Sequence, residues 1–275
     1  MTKIREILKN ASYRVFIFIF ARPSMQRIVT RLLRILLRAY GYNNCCHPDK
    51  TGESNFIRNL STFNPKFCID IGANIGKYSE VLLKNTEAVI FAFEPLKQSF
   101  ESLKKLEKKY QGRFFPFNLA LGESKQKRKF YYSLDHSEIA SFCDDINEID
   151  YVGQYNKSSS ILQIDTLDNF FSKKSLEFEH IDLIKIDVEG LEYEILQGST
   201  KVLQRFSPKF IQIEFNLHQL FRNHTMRSFH LLLDNYNLYQ LLPNGSKPIK
   251  RNSKDPLVNI FTYANFLFVR KDIEL

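Results

Sequence analysis

Short apolar runs alternate with amphipathic segments over residues 66–270. Each run is too short for a typical helix and is mostly apolar, as in the buried strands of a parallel sheet. Between the runs, apolar residues recur at helical spacing, most clearly over 96–110. The alternation predicts a mostly parallel, doubly wound sheet whose last strand is antiparallel. The principal runs are 67–71, 88–93, 113–119, 181–187, 209–215, 238–242 and 261–269.

Residues 2–40 follow a different pattern, which predicts two helices separated at Arg22-Pro23. In the second helix four arginines fall within a stripe of roughly 60°, and apolar residues fill most of the remaining surface. Three occupants of that apolar face stay open: the rest of the chain, an anionic membrane surface and a partner protein. The apolar run at 15–21 is shorter than the roughly 20 residues that span a bilayer, and its context is poor for signal cleavage. We therefore expect the segment to be retained. The arginines are Arg27, Arg31, Arg34 and Arg38.

Composition and charge argue against some functional classes for this chain. Residues 1–40 contain nine Lys or Arg and one acidic residue, which is +8 of the formal net charge of +9. The rest of the chain is nearly neutral, which argues against a nucleic-acid-binding protein. Four cysteines without C-x-x-C spacing favour free thiols in a reducing cytoplasm. Adjacent Cys45 and Cys46, followed by His47, have poor spacing for zinc.

Two polar stretches suggest the domain organisation. Residues 41–65 form a polar connection with turn chemistry, so we expect a basic helical extension over 1–60 and an α/β domain over 61–275. Residues 123–160 are polar and irregular, and a region this long inside a compact domain is more often functional than not.

The segment F-C-I-D-I-G-A-N-I-G places an acid and two glycines at the end of a buried strand. It does not fit G-x-G-x-x-G, because Asn74 and Lys77 stand where the second and third glycines belong. It fits acid-x-Gly-x-Gly-x-Gly with Asn74 as the middle residue, and Asn tolerates left-handed backbone angles. Glu94 lies 18 residues after Gly76, at the end of the next strand, where a carboxylate can accept both hydroxyls of a ribose. A tight strand–helix turn without a ligand is the alternative.

A second cluster of charges follows the strand predicted at 181–187. Lys185, Asp187 and Glu189 alternate with apolar residues, so the three charges fall on one side of the chain. Buried charges are costly without partners, so they either pair with one another or face the crevice at the sheet's carboxyl edge. Glu214 and His218 are further candidates for that crevice.

These motifs, in this order, resemble the FkbM family of S-adenosylmethionine-dependent methyltransferases. The matching segments are F-C-I-D-I-G-A-N-I-G-K-Y-S, F-A-F-E-P, N-L-A-L-G, I-D-T-L-D and I-D-L-I-K-I-D-V-E-G-L-E-Y-E-I-L-Q-G. The resemblance implies a Rossmann-like class I methyltransferase fold, with a mostly parallel seven-stranded sheet and helices on both faces. It also implies cofactor-binding roles for Asp70, Gly72, Ala73, Asn74 and Gly76 at the methionine end, Glu94 at the ribose, Asn118 and Ala120 near the adenine, and Ser141 before the variable loop.

The implied activity is O-methylation of a sugar or another small metabolite, with surface-polysaccharide sugars as the first expectation for the acceptor. Asp187 is the candidate base that takes the hydroxyl proton, and Glu189 and Lys185 are candidates to orient it. A divalent ion held by Asp187 and Glu189 is an alternative that the sequence leaves open. Two rivals remain: another nucleotide-binding α/β enzyme, and a non-catalytic protein that binds a membrane or a partner. The expected location is the cytoplasm, with peripheral contact at the inner membrane face through residues 1–40.

Overall fold

The structure is a computed structural model that describes residues 13–44, 48–132, 158–174, 178–245 and 247–275. The chain divides into two compact units, Met1–Asn43 and Asn44–Leu275.

In the first unit, residues 13–20 are helical, and a short 3-10 turn at Pro23–Met25 leads into the helix Gln26–Tyr40. Gly41 ends this helix with a φ of 110°, a left-handed angle that glycine adopts without strain. The predicted interruption at Arg22-Pro23 is confirmed. No helix in the described part of the chain is long and apolar enough to cross a membrane.

The described residues of the second unit form eleven strands and a set of mostly short helices. The strands are β1 Phe67–Ile71, β2 Val89–Phe93, β3 Phe114–Phe117, β4 Ala120–Leu121, β5 Gln126–Tyr132, β6 Ser158–Asp165, β7 Leu183–Ile186, β8 Phe210–Phe215, β9 Tyr236–Gln240, β10 Ile249–Lys250 and β11 Ala264–Arg270. The helices include Pro48–Thr51, Glu53–Ser61, Lys77–Asn85, Lys97–Lys109, Leu167–Ser172, Glu192–Gln197, Thr200–Phe206, His218–Phe221 and Met226–Leu232, with a 3-10 turn at Pro256–Val258.

Eight strands form the main sheet in the order β10-β9-β11-β8-β7-β1-β2-β3. The pairs from β8 to β3 are parallel, and β11 pairs antiparallel with both β8 and β9. The predicted parallel sheet and antiparallel last strand are therefore confirmed. From β1 the chain adds β2 and β3 on one side of the sheet, and it then adds β7 and β8 on the other side. The strand order therefore reverses between β1 and β7, and ligands of open α/β sheets bind at such a switch point.

The main sheet has eight strands, one more than the seven that the family resemblance implies. The additional strand is β10, a two-residue pairing of Ile249 and Lys250 with β9. The sequence around it is rich in Lys and polar residues, which hides so short an edge strand. Strands β4, β6 and β5 make a separate three-stranded sheet.

Helices cover both faces of the main sheet. On one face, Cys68 of β1 belongs to an apolar cluster that includes Phe56 of the helix Glu53–Ser61. On the other, Phe67 lies with its ring centroid 6.3 Å from that of Phe171, in the helix Leu167–Ser172. Buried aromatic residues thus fix the position of β1 from both sides.

The prediction of a polar connection over residues 41–65 is wrong. The helix Glu53–Ser61 buries Phe56, Ile57 and Leu60 against the sheet and belongs to the second compact unit, whereas the sequence predicts an extension that reaches residue 60. Three apolar positions in nine residues are enough for one buried helix face, although polar residues dominate the segment.

Candidate active site

The glycine loop after β1 is held tightly against its two neighbouring strands. The N–H groups of Gly72 and Ala73 both donate 3.0 Å hydrogen bonds to the carbonyl oxygen of Phe93, at the end of β2. Gly72 has a φ of +79°, and a Cβ atom there would lie 1.7 Å from the carbonyl oxygen of Asp187. Only glycine fits at position 72, because both the backbone angle and the space forbid a side chain.

Asn74 has a φ of +47°, and Gly76 has one of +86°. Asn74 therefore takes the left-handed conformation expected of a residue in place of the middle glycine. Its side-chain Oδ1 atom accepts a 3.0 Å hydrogen bond from the hydroxyl of Ser99, in the helix Lys97–Lys109 that follows β2.

Glu94 links this loop to the end of β2. Its Oε2 atom accepts a 2.9 Å hydrogen bond from the N–H of Asn74, and its Oε1 atom accepts one of 2.7 Å from the N–H of Leu96. Burial raises the pKa of Glu94 to about 7, against the opposing effect of the two backbone donors. The Nδ2 atom of Asn118 donates 2.9 Å hydrogen bonds to the carbonyl oxygens of Glu94 and Pro95, so Asn118 lies beside the same turn.

Asp70 is placed differently from the ligand-facing acid that we expected. It is fully buried, and its Oδ2 atom accepts a 2.6 Å hydrogen bond from the hydroxyl of Ser79. Its Oδ1 atom lies 3.6 Å from the Nζ atom of Lys185. The Asp70 side chain is thus buried beneath the loop, on the same face of the sheet as Cys68.

Lys185 joins Asp70 to Asp187. Its Nζ atom lies 2.9 Å from Oδ2 of Asp187 and 5.1 Å from the centre of the Tyr78 ring. Burial alone would lower the pKa of Lys185, but Asp187, Asp70 and Glu53 together raise it. A lysine held in the charged form cannot act as a base, but its ammonium group fixes one oxygen of Asp187. Of the two expectations for these charges, pairing is realised for Lys185.

Three carboxylates meet at the carboxyl ends of β7 and β8. One oxygen each of Asp187, Glu189 and Glu214 lies within 4.8 Å of the others. The amide of Asn216 donates to both Glu189 Oε2, at 2.9 Å, and Glu214 Oε1, at 2.6 Å. Burial first, and then the charges of Asp187 and Glu189, raise the pKa of Glu214 well above its ordinary value.

His218 stands on the far side of Glu189. Its Nδ1 atom lies 3.0 Å from Glu189 Oε2. Burial lowers the pKa of His218, but the charge and hydrogen bonds of Glu189 together with the charge of Glu192 outweigh burial, and the net shift is upward. Both crevice candidates, Glu214 and His218, therefore lie in the same cluster as Glu189.

The sequence reasoning missed Glu192, which shapes the loop between Asp187 and the following helix. Its carboxylate accepts hydrogen bonds from the N–H groups of Val188, at 3.0 Å, and Gly190, at 3.1 Å, and also contacts the amide of Gln219. Burial raises the pKa of Glu192 to about 7. The signal was present in V-E-G-L-E, where an acid opens a helix directly after a glycine turn.

The remaining sequence-predicted residues are distributed as follows. Ala120 is buried in a small cluster with Leu191, against which Leu96 and Val188 pack, so it lies between the turns that follow β2 and β7. Ser141 lies outside the described residues. The other predicted residues lie at or after the carboxyl ends of β1, β2, β3, β7 and β8.

Comparison with known proteins gives a family for this site. A family model described as the methyltransferase FkbM domain matches residues 70–240, more than half of the chain. The hexuronic acid methyltransferase AglP of Haloferax volcanii is 28% identical over 170 residues, covering 61% of this chain and 64% of that relative. The AMB antimetabolite synthetase AmbE of Pseudomonas aeruginosa is 26% identical over 157 residues, which is 47% of this chain and 7% of the synthetase.

The matched region thus spans less than two thirds of the length of either relative. Among solved structures, an O-methyltransferase from Bacillus cereus in complex with SAH aligns with a TM-score of 0.45 and 13% identity, covering 88% of this chain and 90% of that one. The family assignment comes from the match over residues 70–240: the chain belongs to the family of FkbM methyltransferase domains.

Proposed function

We propose that this protein is an S-adenosylmethionine-dependent O-methyltransferase that acts on a hydroxyl of a sugar or related small metabolite. The observation that supports this most strongly is the meeting of the glycine loop, Glu94 and Asp187 at the switch point of the sheet, in a chain of the FkbM family.

The residues at this edge fit the cofactor. The two oxygens of the Glu94 carboxylate suit the two hydroxyls of a ribose, and they already accept hydrogen bonds from donors at that position. Asn118 and Ala120 lie beside the turns where an adenine would be held. Gly72, Ala73 and Gly76 bring the backbone close to the ligand, and Asp70 supports the loop from beneath through Ser79.

S-adenosylmethionine, when bound, supplies an electrophilic methyl group on a positively charged sulfur. The protein then has to align the acceptor oxygen and remove its proton. Lys185 holds Oδ2 of Asp187, which leaves the Oδ1 atom of this half-exposed carboxylate to take the hydroxyl proton. Glu189, fixed by Asn216 and His218, orients the acceptor on the other side.

A metal-assisted reaction is the second candidate, because three carboxylates offer oxygen ligands within 4.8 Å of one another. Hard divalent ions such as Mg²⁺ prefer such ligands. Asp187 and Glu189 would hold such an ion, which would supply a positive charge that lowers the pKa of a bound hydroxyl. Treatment with a chelator separates the two candidates: full activity afterwards favours Asp187 as a base, and activity restored by added Mg²⁺ favours the ion.

The acceptor class follows from the relatives. One of them is named as a hexuronic acid methyltransferase, which favours a sugar acceptor. A cytoplasmic location completes the proposal, in line with the free, buried thiol of Cys68.

The test is a methyl-transfer assay with purified protein, S-adenosylmethionine and a panel of hexuronic acids, neutral hexoses and phenols. Mass spectrometry should detect the addition of one methyl group to a sugar, and NMR should locate it on an oxygen. Transfer to phenols alone would contradict the sugar assignment. Cofactor binding without transfer to any compound would favour the non-catalytic alternative.

A further inference from the structure

A concentration of exposed apolar side chains marks the N-terminal unit. Eleven large apolar residues between positions 13 and 36 each expose at least 43% of their surface. No residue of the helix Gln26–Tyr40 is buried. Apolar surface gathered on one short segment in this way is typical of an interaction site. The eleven residues, which we call the N-terminal apolar surface, are Tyr13, Val15, Phe16, Ile17, Phe18, Ile19, Ile28, Leu32, Leu33, Ile35 and Leu36.

The width of the apolar face indicates what covers it. At ~100° per residue, apolar positions of the helix Gln26–Tyr40 spread over roughly 200° of its circumference, opposite an arginine stripe of roughly 60°. A helix that docks in a protein groove needs a narrower seam of anchors at i, i+3, i+4 and i+7. A broad apolar arc fits a flat, fluid medium such as the interior of a lipid leaflet.

The charge of the other face selects an anionic surface. Arg27, Arg31 and Arg34 form no ion pair with the residues that the structure describes. The sequence has no acidic residue from position 7 to position 48, so the stripe is not neutralised locally. With Arg38, these arginines line a hollow of about 630 Å³ along the helix. An anionic phospholipid surface offers both partners at once: phosphates for the arginine stripe and acyl chains for the apolar face.

We propose that residues 13–40 dock onto an anionic phospholipid membrane, with the helix Gln26–Tyr40 lying in the plane of the interface. Its 15 residues extend about 22 Å, less than the roughly 30 Å of a bilayer core, so it lies on the membrane and does not cross it. The inference uses no residue of the candidate active site and therefore stands apart from the proposed function.

The test is sedimentation of the full-length protein with vesicles of phosphatidylcholine alone or mixed with phosphatidylglycerol. We expect binding to the mixed vesicles and its loss at high salt, because the attraction is electrostatic. The variant R31E/R34E should bind at least about tenfold more weakly, since each basic residue near an anionic surface contributes roughly fivefold. The matched control is K105E/K108E, which makes the same charge change at the same spacing on the exposed face of another helix.

The apolar contribution has its own matched pair. Leu36 and Leu231 are both 64% exposed, the first on the N-terminal apolar surface and the second on the methyltransferase domain. L36D should reduce vesicle binding by more than about tenfold, given roughly 0.8 kcal/mol for each buried methylene, while L231D should not. Circular dichroism confirms that each variant is folded.

Three results would overturn the proposal. The first is equal binding of the protein to neutral and anionic vesicles. The second is an equal loss of vesicle binding in a variant of the N-terminal unit and in its matched control. The third is failure of the folded wild type to bind either vesicle, with dimers in light scattering that L36D abolishes. That last outcome would assign the surface to a second copy of the chain.

Discussion

The backbone N–H of Asn74 donates a 2.9 Å hydrogen bond to Oε2 of Glu94, across 20 positions of the sequence. This contact closes the glycine loop against the end of β2. It also places a buried carboxylate, whose pKa is about 7, at the point where we propose that a ribose binds. The state of this one group should therefore control the affinity for the cofactor.

Cofactor binding should become tighter as pH rises from 6 to 8. With a pKa of about 7, Glu94 is roughly one-tenth ionised at pH 6 and nine-tenths ionised at pH 8, and the ionised form accepts both ribose hydroxyls. The dissociation constant of S-adenosylhomocysteine, measured by calorimetry, should fall about tenfold over this range. E94Q should bind weakly with little pH dependence. A steep pH dependence that survives in E94Q would exclude Glu94 as its source.

G72A should destabilise the protein far more than G112A. The two glycines have nearly equal φ angles, +79° and +77°, so both replacements carry the same backbone strain of about 1 kcal/mol. A Cβ at position 72 would meet the carbonyl oxygen of Asp187 at 1.7 Å, whereas one at position 112 would meet nothing within 4 Å. Urea denaturation should show a loss for G72A several kcal/mol larger than for G112A. Equal losses would mean that the β1–β7 contact is not tight.

D187N should lose methyl transfer but keep the cofactor. Removing a general base costs about 10²- to 10⁴-fold in kcat, while the dissociation constant of S-adenosylhomocysteine should change little because we propose that Asp187 faces the acceptor. D234N changes an exposed aspartate of the same domain and is the control. Full activity of D187N would show that the base assignment is wrong.

E192Q should flatten the pH dependence of stability. Burial holds the pKa of Glu192 at about 7, above its ordinary value of 4.5, so its contribution to the free energy of unfolding is complete below pH 4.5 and is lost as pH rises through 7. From pH 5.5 to 8 that loss amounts to at most about 2 kcal/mol. The amide of E192Q keeps an acceptor for Val188 without the titration, whereas E192A removes the acceptor as well. Denaturation at both pH values should show a smaller loss for E192Q than for the wild type. An unchanged loss would mean that Glu192 is ionised throughout.

The central part of the site was predictable because its signals are local. β1 is a short run that is apolar except for Asp70, the left-handed residues that follow it are glycines and an asparagine, and Glu94 follows the next strand. Each of these features depends on neighbouring positions only. The alternation around Asp187 likewise shows in the sequence.

Features that depend on distant residues were not predictable. Glu53 was read as part of a polar connection, but its carboxylate accepts a 2.8 Å hydrogen bond from Gln212, 159 positions away. Asp70 carries a charge at a strand end, and nothing local indicates that Lys185 on the adjacent strand draws it inward. Buried polar groups find partners through the tertiary fold, so their orientation follows from strand order rather than from spacing along the chain.

The most direct test of the proposed function is calorimetric titration of the purified protein with S-adenosylmethionine and S-adenosylhomocysteine, with NAD as the control ligand. The account predicts micromolar binding of both sulfur compounds, no binding of NAD, and at least about tenfold weaker binding by E94A, since the variant loses two charge-assisted hydrogen bonds. A folded protein that binds neither sulfur compound would contradict the proposal and favour a non-catalytic role for the fold.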